Sequence, residues 1–481
     1  MCALRWPRTP SARGGTALKP LLASACLLAL GACAAIPAAA TGPEPSVLSA
    51  YDFDQSIPSS GSAWPDAQWW TGYGDGQLAV LIEEAVAAAP TLRIADARMR
   101  QADSVARQAG ASLAPSLSAS GGAQVTRQSY NLGMPAPRGW DDNGRASLDF
   151  RWELDFWGKN RAALAAATSE AQAARVEAAA ARLALSTAIA ASYAELGARH
   201  AELEAARQAV AVRSQTAELM RGRQQNGLEN NGVVQRALSG KAAAEADLAR
   251  AEEALILTRH QIAALLGKGP DRGLTIVPPG TTSLKSMGAP QTLAAELLGR
   301  RPDIVAARLR AEAAAQHIKV ARTAFYPNVN LVGLLGLQSL NLANFAQADS
   351  LTGSGGLAIS LPIFSGGRLR AQYRGAEASY DAAVGAYDET VIQALREVAD
   401  ALTSRSALTT RLARTREAET ASEAAWKVAR NRYRGGLATY LEVLTAEDAL
   451  IASRRASAVL NTQAFALDVA LVRALGGGFQ S

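Results

Sequence analysis

From Ala146 to Phe156 apolar and polar side chains alternate without exception. Ala146, Leu148, Phe150, Trp152, Leu154 and Phe156 fall on one face, and Ser147, Asp149, Arg151, Glu153 and Asp155 on the other. A period of two is the mark of a strand, and so sharp a contrast predicts a strand that separates an oily medium from a wet one. Leu117, Ala119, Gly121, Ala123 and Val125 form a weaker alternating row. In the second half the same role falls to Val329, Leu331, Leu335 and Leu337, then to Leu357, Ile359, Leu361 and Ile363. Each half thus offers one hairpin, with polar and glycine-rich connections across 130–143 and 341–356. These strands run about 10 residues, the length of a tilted membrane-crossing strand. Four strands cannot close a wide barrel, and open edges are not left in lipid, so the pattern predicts an oligomer; three copies supply a ring of about twelve strands.

Between the strands the period becomes helical. From Arg161 to about Arg223 there is no proline and almost no glycine, which predicts a helix roughly 95 Å long at 1.5 Å per residue. A break follows at Gly227-Leu228-Glu229-Asn230-Asn231-Gly232, and a return helix runs to Leu265-Leu266-Gly267. The second half matches, with a helix from Leu369 to Arg434, a break at Gly435-Gly436, and a return from Tyr440 to Leu475-Gly476. A shorter helix precedes each hairpin, bracketed by Pro90 and Pro115 and by Pro302 and Pro327, proline being tolerated in a first turn but not further in. The two halves therefore repeat one plan at an offset of 212 for the prolines and 209 for the breaks. Apolar spacing of four, four and three at Leu185, Ile189, Tyr193 and Leu196 describes a coiled-coil seam. Small alanines elsewhere suit closely packed helices in a thin wall better than a solid bundle.

Composition narrows the class. Apolar residues are 49% and aromatics only 5% of the 481 positions. Arg5, Arg8, Arg13 and Lys19 account for four of the six net positive charges, which leaves no reason to invoke nucleic acid. Those four lead into the short apolar run Leu21–Leu30, an export signal too short to span a bilayer comfortably, ending at Leu30-Gly31-Ala32-Cys33. This ending resembles the lipobox of bacterial lipoproteins, which makes Cys33 the expected lipidated residue. The remaining cysteines are Cys2 and Cys26, so a chain starting at Cys33 has no disulfide. His200, His260 and His317 are scattered without ligand spacing, no phosphate loop or nucleophile motif stands out, and neither an enzyme nor a metal site is expected.

The order and spacing of several motifs resemble the outer-membrane efflux proteins of the TolC and OprM type, and especially the NodT-like lipoprotein branch. They are Leu298-Gly299-Arg300-Arg301-Pro302-Asp303-Ile304, Glu153-Leu154-Asp155-Phe156-Trp157-Gly158-Lys159, Leu361-Pro362-Ile363-Phe364-Ser365-Gly366-Gly367-Arg368 and Arg432-Tyr433-Arg434-Gly435-Gly436. The resemblance implies a mostly α fold with a membrane β-barrel: a homotrimer whose twelve-stranded barrel continues into an α-helical coiled-coil tunnel. It implies a periplasmic adaptor and an inner-membrane transporter of the resistance-nodulation-division class as partners, outer-membrane lipid around the barrel, no cofactor beyond lipid on Cys33, and passive export of small toxic compounds or metal ions. A duct for secreted polypeptides shares this fold, and a periplasmic coiled-coil scaffold shares the helices. The expected organisation is a signal peptide at 1–32, a lipid-anchored segment at 33–88, repeats at 89–289 and 290–477, and a tail at 478–481.

Candidate site residues follow from the same frame. Asp149, Arg151, Glu153 and Asp155 are expected to line the barrel lumen, and Trp152, Phe156, Trp157 and Phe364 to face lipid or its interface. The tips at Gly227, Asn230, Asn231 and Gly232, and at Tyr433, Arg434, Gly435, Gly436, Tyr440 and Glu442, are expected to form the periplasmic end and its gate. Ala438 and Thr445 depart from the charged pattern of TolC, so a gate of that composition is not expected.

Overall fold

The computed structural model describes residues 42–47, 50–53, 55–57, 61–127, 139–279, 290 and 293–480. The expected export signal at 1–32, Cys33 and part of the first hairpin connection lie outside the described residues. Contacts divide the chain into two compact units. One comprises 1–43, 103–170 and 311–383, the other 44–102, 171–310 and 384–481.

The first unit holds the strands β1 (Ser116–Thr126), β2 (Asp141–Glu153), β3 (Asn328–Ser339) and β4 (Leu351–Ser360). They form one antiparallel sheet in the order β1-β2-β3-β4. Register carries the alternation across all four. Leu117 lies opposite Phe150, Phe150 opposite Gly333, and Ala119 opposite Leu148, which faces Leu335. One face is therefore apolar from edge to edge, while Ser116, Ser118 and Ser120 pair with Arg151, Asp149 and Ser147 on the other. β4 ends at Ser360, so Leu361 and Ile363 lie beyond the strand expected to include them. Pro362 explains the stop, since it has no N–H for a ladder.

Among the described residues the helices of eight residues or more are α1 (Gly76–Ala88), α2 (Pro90–Ala111), α3 (Lys159–Gln225), α4 (Asn231–Leu265), α5 (Leu293–Arg300), α6 (Pro302–Thr323), α7 (Arg368–Arg434) and α8 (Tyr440–Ala474). α3 and α7 each have 67 residues, about 100 Å of helix. The halves are offset by 212 at β1 and β3 (Ser116 and Asn328) and by 209 at α3 and α7 (Lys159 and Arg368). The three-residue difference arises within the hairpins.

In the second unit Leu185, Ile189, Tyr193 and Leu196 are all buried, packed with α1, the 3-10 turn Trp69–Tyr73, and Ile262, Phe465 and Val469. Arg301 closes a second junction. Its buried guanidinium donates to Asp303, to Glu397 of α7 at 2.8 Å and to the carbonyl of Ala474 at 2.9 Å, tying three helices together. Burial opposes its charge, but the two carboxylates outweigh that and raise its pKa.

Four polar residues of α8 step by seven: Glu447, Arg454, Asn461 and Asp468. Each meets a partner on another long helix. Glu447 pairs with Arg213 of α3 at 3.1 Å. Arg454, Asn461 and Asp468 meet Glu423 at 3.6 Å, Arg416 at 3.0 Å and Arg405 of α7. Between them lie apolar and small residues such as Leu450, Leu460 and Ala464. Glu447 and Asp468 are completely buried, and a seam with these acids in its core gains a defined register, because sliding the helix leaves both unmatched together.

The long helices end in Schellman motifs. Gly227 and Gly436 take φ of +71° and +75°, with Leu228 donating to the carbonyl of Arg223 and Leu437 to that of Arg432. Gly267 and Gly476 end α4 and α8 with φ of +71° and +87°. The positions differ in space. A Cβ on Gly436 meets nothing within 4 Å, whereas on Gly476 it lies 2.1 Å from the Arg300 carbonyl oxygen. Gly436→Ala is expected to lose about 1–2 kcal/mol through its backbone conformation alone, and Gly476→Ala more, because backbone must move. Thermal melting of both variants checks this; equal losses would mean that the contact with Arg300 is immaterial.

Candidate functional site

The polar face of the sheet is built around β2. Asp149 accepts from Ser147 Oγ at 3.0 Å and Ser120 Oγ at 3.2 Å, which fixes its carboxylate on that face. Ser116 Oγ donates to the Arg151 carbonyl oxygen at 3.1 Å. Lys159 Nζ lies 2.9 Å from Glu153 and neutralises it at the end of the strand. Asp149, Arg151 and Glu153 therefore share the polar face. Asp155 does not, since β2 stops at Glu153. Its carboxylate accepts from the backbone N–H of Asn160 at 3.1 Å and of Arg161 at 3.0 Å. It caps the orphan donors of α3, and the alternation in sequence conceals this because a cap needs the same residue type.

Among the aromatic residues, Trp152 lies on the apolar face, opposite Leu331. Its Nε1 donates to the Leu113 carbonyl oxygen at 3.0 Å. Phe156, Trp157 and Phe364 sit beyond the strands and remain 65%, 51% and 83% exposed. Trp157 stacks on Tyr326, with ring centres 4.8 Å apart.

The tips of the two helical hairpins meet in the second unit. Tyr433 is buried, and its hydroxyl donates to Glu229 at 2.5 Å, with Met220 Sδ 3.1 Å away. The Arg223 guanidinium lies 4.7 Å from the centre of the Tyr433 ring, and the Tyr440 ring is 6.4 Å away. Ala217, Val234, Ala237 and Val443 complete this cluster, which draws on both halves of the chain. Burial, then the hydrogen bond to Glu229, push the Tyr433 hydroxyl well above its ordinary pKa.

Other tip residues have local duties. Asn230 caps α4 by accepting from the Val233 N–H at 3.1 Å, and Asn231 accepts from Gln235 at 3.3 Å. Gly232, the second residue of α4, lies so close to Asn230 that a Cβ would sit 3.0 Å from Asn230 Oδ1. The Gly435 N–H donates to Asn431, and Arg434 is exposed. Glu442 forms a capping box with Thr439 and lies 3.8 Å from Arg432. Tyr440 is buried against Tyr433, so the expected cluster of tip residues separates into a packed pair and an exposed rim.

Three features escaped the sequence reading. Glu229 is half of the Tyr433 contact. Glu447 is completely buried, accepting from Thr216 at 2.8 Å and pairing with Arg213 of the other hairpin. Asp468 is completely buried beside Arg405 and near the Tyr73 hydroxyl. Heptad spacing of Glu447, Arg454, Asn461 and Asp468 was the available signal.

An apolar-and-polar sheet continued by paired long helices is the architecture of an outer-membrane channel protein. The chain belongs to the outer membrane efflux protein family, which it matches over residues 81–268 and 293–477. It has the TolC-type fold, with long helices forming a coiled coil as the periplasmic extension. Channels of this family are conduits rather than catalysts. Similar chains include the fusaric acid resistance protein FusA of Burkholderia cepacia, 34% identical over 66% of this chain and 61% of that protein. The multidrug resistance outer membrane protein MdtP of Escherichia coli is 29% identical over 87% of this chain and 88% of that protein. Among solved structures, the outer membrane protein VceC of Vibrio cholerae superposes with a TM-score of 0.80 at 46% identity, covering 87% of this chain and 100% of that one. The outer-membrane channel OprN superposes with a TM-score of 0.82 at 28% identity, over 93% and 100%.

Two outcomes are expected. Tyr433→Phe removes the bond to Glu229 at a cost of about 1–2 kcal/mol. Amide exchange should quicken at 227–231 and 435–440, and unchanged exchange there would assign the tip's stability to packing alone. For Asp468, burial outweighs Arg405 and raises the carboxyl from 3.8 to about 6. The folded chain then holds this proton more tightly than the unfolded one. Its stabilising contribution is complete below about pH 4 and is lost as pH rises through about 6. Melting of Asp468→Asn across that range should lack this component; an unaltered pH profile would remove Asp468 as its source.

Proposed function

We propose that three copies of this chain assemble into the outer-membrane duct of a tripartite efflux pump. A periplasmic adaptor and a proton-driven transporter of the resistance-nodulation-division class deliver small toxic compounds or metal ions to it. The observation that carries this reading is the open sheet: one face apolar, one polar, with β1 and β4 at its edges. In hydrocarbon an edge needs a partner, and strands from neighbouring copies supply one, giving three sheets and twelve strands around a wet lumen. Asp149 and Arg151 place both signs of charge there, which suits a broad exit more than a sharp filter.

The names of similar proteins support efflux. They include fusaric acid resistance, multidrug resistance and, for the OpmQ protein of Pseudomonas putida, pyoverdine export. In this reading the hairpin tips form the periplasmic gate and adaptor-docking end. Closure relies on the buried Tyr433–Glu229 contact, with Arg434, Gly436 and Glu442 on its rim.

Cys33 carries the lipid anchor in this proposal, in keeping with the NodT-like branch. Gly42 lies beside Tyr380 and Asp381, twelve residues into α7 from Arg368, or about 18 Å of helix. The nine residues back to Cys33 reach about 30 Å when extended. An acyl chain on Cys33 can therefore return to the membrane end of that helix.

Deleting the gene should raise sensitivity to a panel of toxic compounds and metals, and the purified protein should conduct in a planar bilayer. No conductance would favour a periplasmic scaffold; unchanged sensitivity with loss of a secreted polypeptide would favour a protein-export duct. Gly436→Trp should impair export while trimers persist on native gels, whereas loss of trimers would assign Gly436 to assembly.

A further inference from the structure

We propose that the cleft between the start of α3 and the end of α6 holds the phosphate headgroup of an anionic phospholipid from the periplasmic leaflet of the outer membrane. The proposal rests on the sheet being the membrane-crossing part of the chain, and needs neither a pump nor a cargo. The cleft is open to solvent, has a volume of about 510 Å³ and is lined by residues that include Trp157, Arg161, Lys319, Arg322, Thr323 and Tyr326.

Its position comes first. β2 ends at Glu153 and β3 begins at Asn328, so the cleft lies at the helical end of the two inner strands, away from the β1 and β4 edges. That end is where hydrocarbon gives way to headgroups on the periplasmic side. Aromatic side chains are stable at such a boundary because one end stays dry and the other wet. Trp157 fits this description: its ring stacks on Tyr326, its Nε1 donates to the Pro327 carbonyl oxygen at 2.8 Å, and half of it remains exposed.

Charge supplies the second argument. Arg161 is oriented by Asp155, through Nε at 3.2 Å and through Nη2 to the Asp155 carbonyl at 3.0 Å. That carboxylate is the one acid engaged with the cluster's cations among the described ion pairs. Lys319 and Arg322 are exposed on the facing flank of α6, without an ion pair among the described residues. Three cations against one committed carboxylate make a surplus of positive charge beside an aromatic platform, and a lipid phosphate complements both parts.

The internal repeat supplies the third. At the corresponding positions of the other half, Trp157 becomes Gly366, Tyr326 becomes Ala114 and Arg322 becomes Gly110, while Arg161 and Lys319 keep their charge as Arg370 and Arg107. The junction between strand and long helix is built there without the platform or that cation. Folding of the junction therefore does not require the aromatic platform or Arg322, which belong to one repeat only.

The full-length protein in detergent is titrated with phosphatidylglycerol, phosphatidylcholine or inorganic phosphate, and lipid retention is read by native mass spectrometry. Phosphatidylglycerol should be retained preferentially, and K319E/R322E should weaken that retention about tenfold or more. Trimer content and conductance should be unchanged. Equal retention of phosphatidylglycerol by the double variant would overturn the proposal, as would equal retention of phosphatidylcholine by the unaltered protein. Inorganic phosphate competing at millimolar concentration would convert the cleft to a free-anion site and overturn the lipid assignment. If K319E/R322E does not insert, K319Q/R322Q gives the same comparison without charge reversal. Loss of conductance with intact phosphatidylglycerol preference would count against the duct and leave the headgroup site standing.

Discussion

A backbone N–H or C=O in hydrocarbon has no water to turn to, and this constraint governs the protein more than any single side chain. A helix meets it internally; a sheet of four strands meets it for the inner pair and leaves β1 and β4 each with an open edge. The two-sided patterning of β2 makes sense only if that sheet lies between lipid and water. Completing the edges with other copies follows from the proposed assembly, and the chain's own register prepares for it by keeping one face apolar over all four strands.

The helical unit solves a different problem. Alanine-rich helices pack closely but specify their alignment weakly, since one small residue resembles the next. α8 answers this with a polar residue every seventh position, matched to Arg213, Glu423, Arg416 and Arg405 on its neighbours. Some of these groups are completely buried and are expensive to desolvate. Their physical return is alignment: a slipped helix would strand charges where no water reaches them. Arg301 plays the equivalent part at the junction of α6, α7 and the end of α8.

At the tips, packing and chain reversal are separated. Gly227 and Gly436 make the turns possible through positive φ, while Tyr433, Met220, Val234 and Tyr440 hold the hairpins to each other beside them. The reversal lies at the surface, where a side chain at Gly436 meets nothing, and the contact lies within the cluster. Chain reversal at the surface and cohesion in the cluster are consequently set by different residues.

The amino-acid sequence by itself determined the elements and their order. Alternation at 146–154, proline brackets at 90, 115, 302 and 327, and glycine at 227 and 436 each reflect local sterics or a local period, so they are legible without a neighbour. Leu185, Ile189, Tyr193 and Leu196 announced a buried stripe for the same reason. Tertiary structure alone decided what each polar residue does. Asp155 continues the alternation in sequence yet caps α3; Glu442, expected at the tip, closes a capping box with Thr439; Glu229 gives no sign of its bond to Tyr433, 204 positions away. A carboxylate has the same chemistry in a lumen, at a helix end or in a buried pair. Only the surroundings that folding assembles around it distinguish these roles, and those come from residues far apart in the chain.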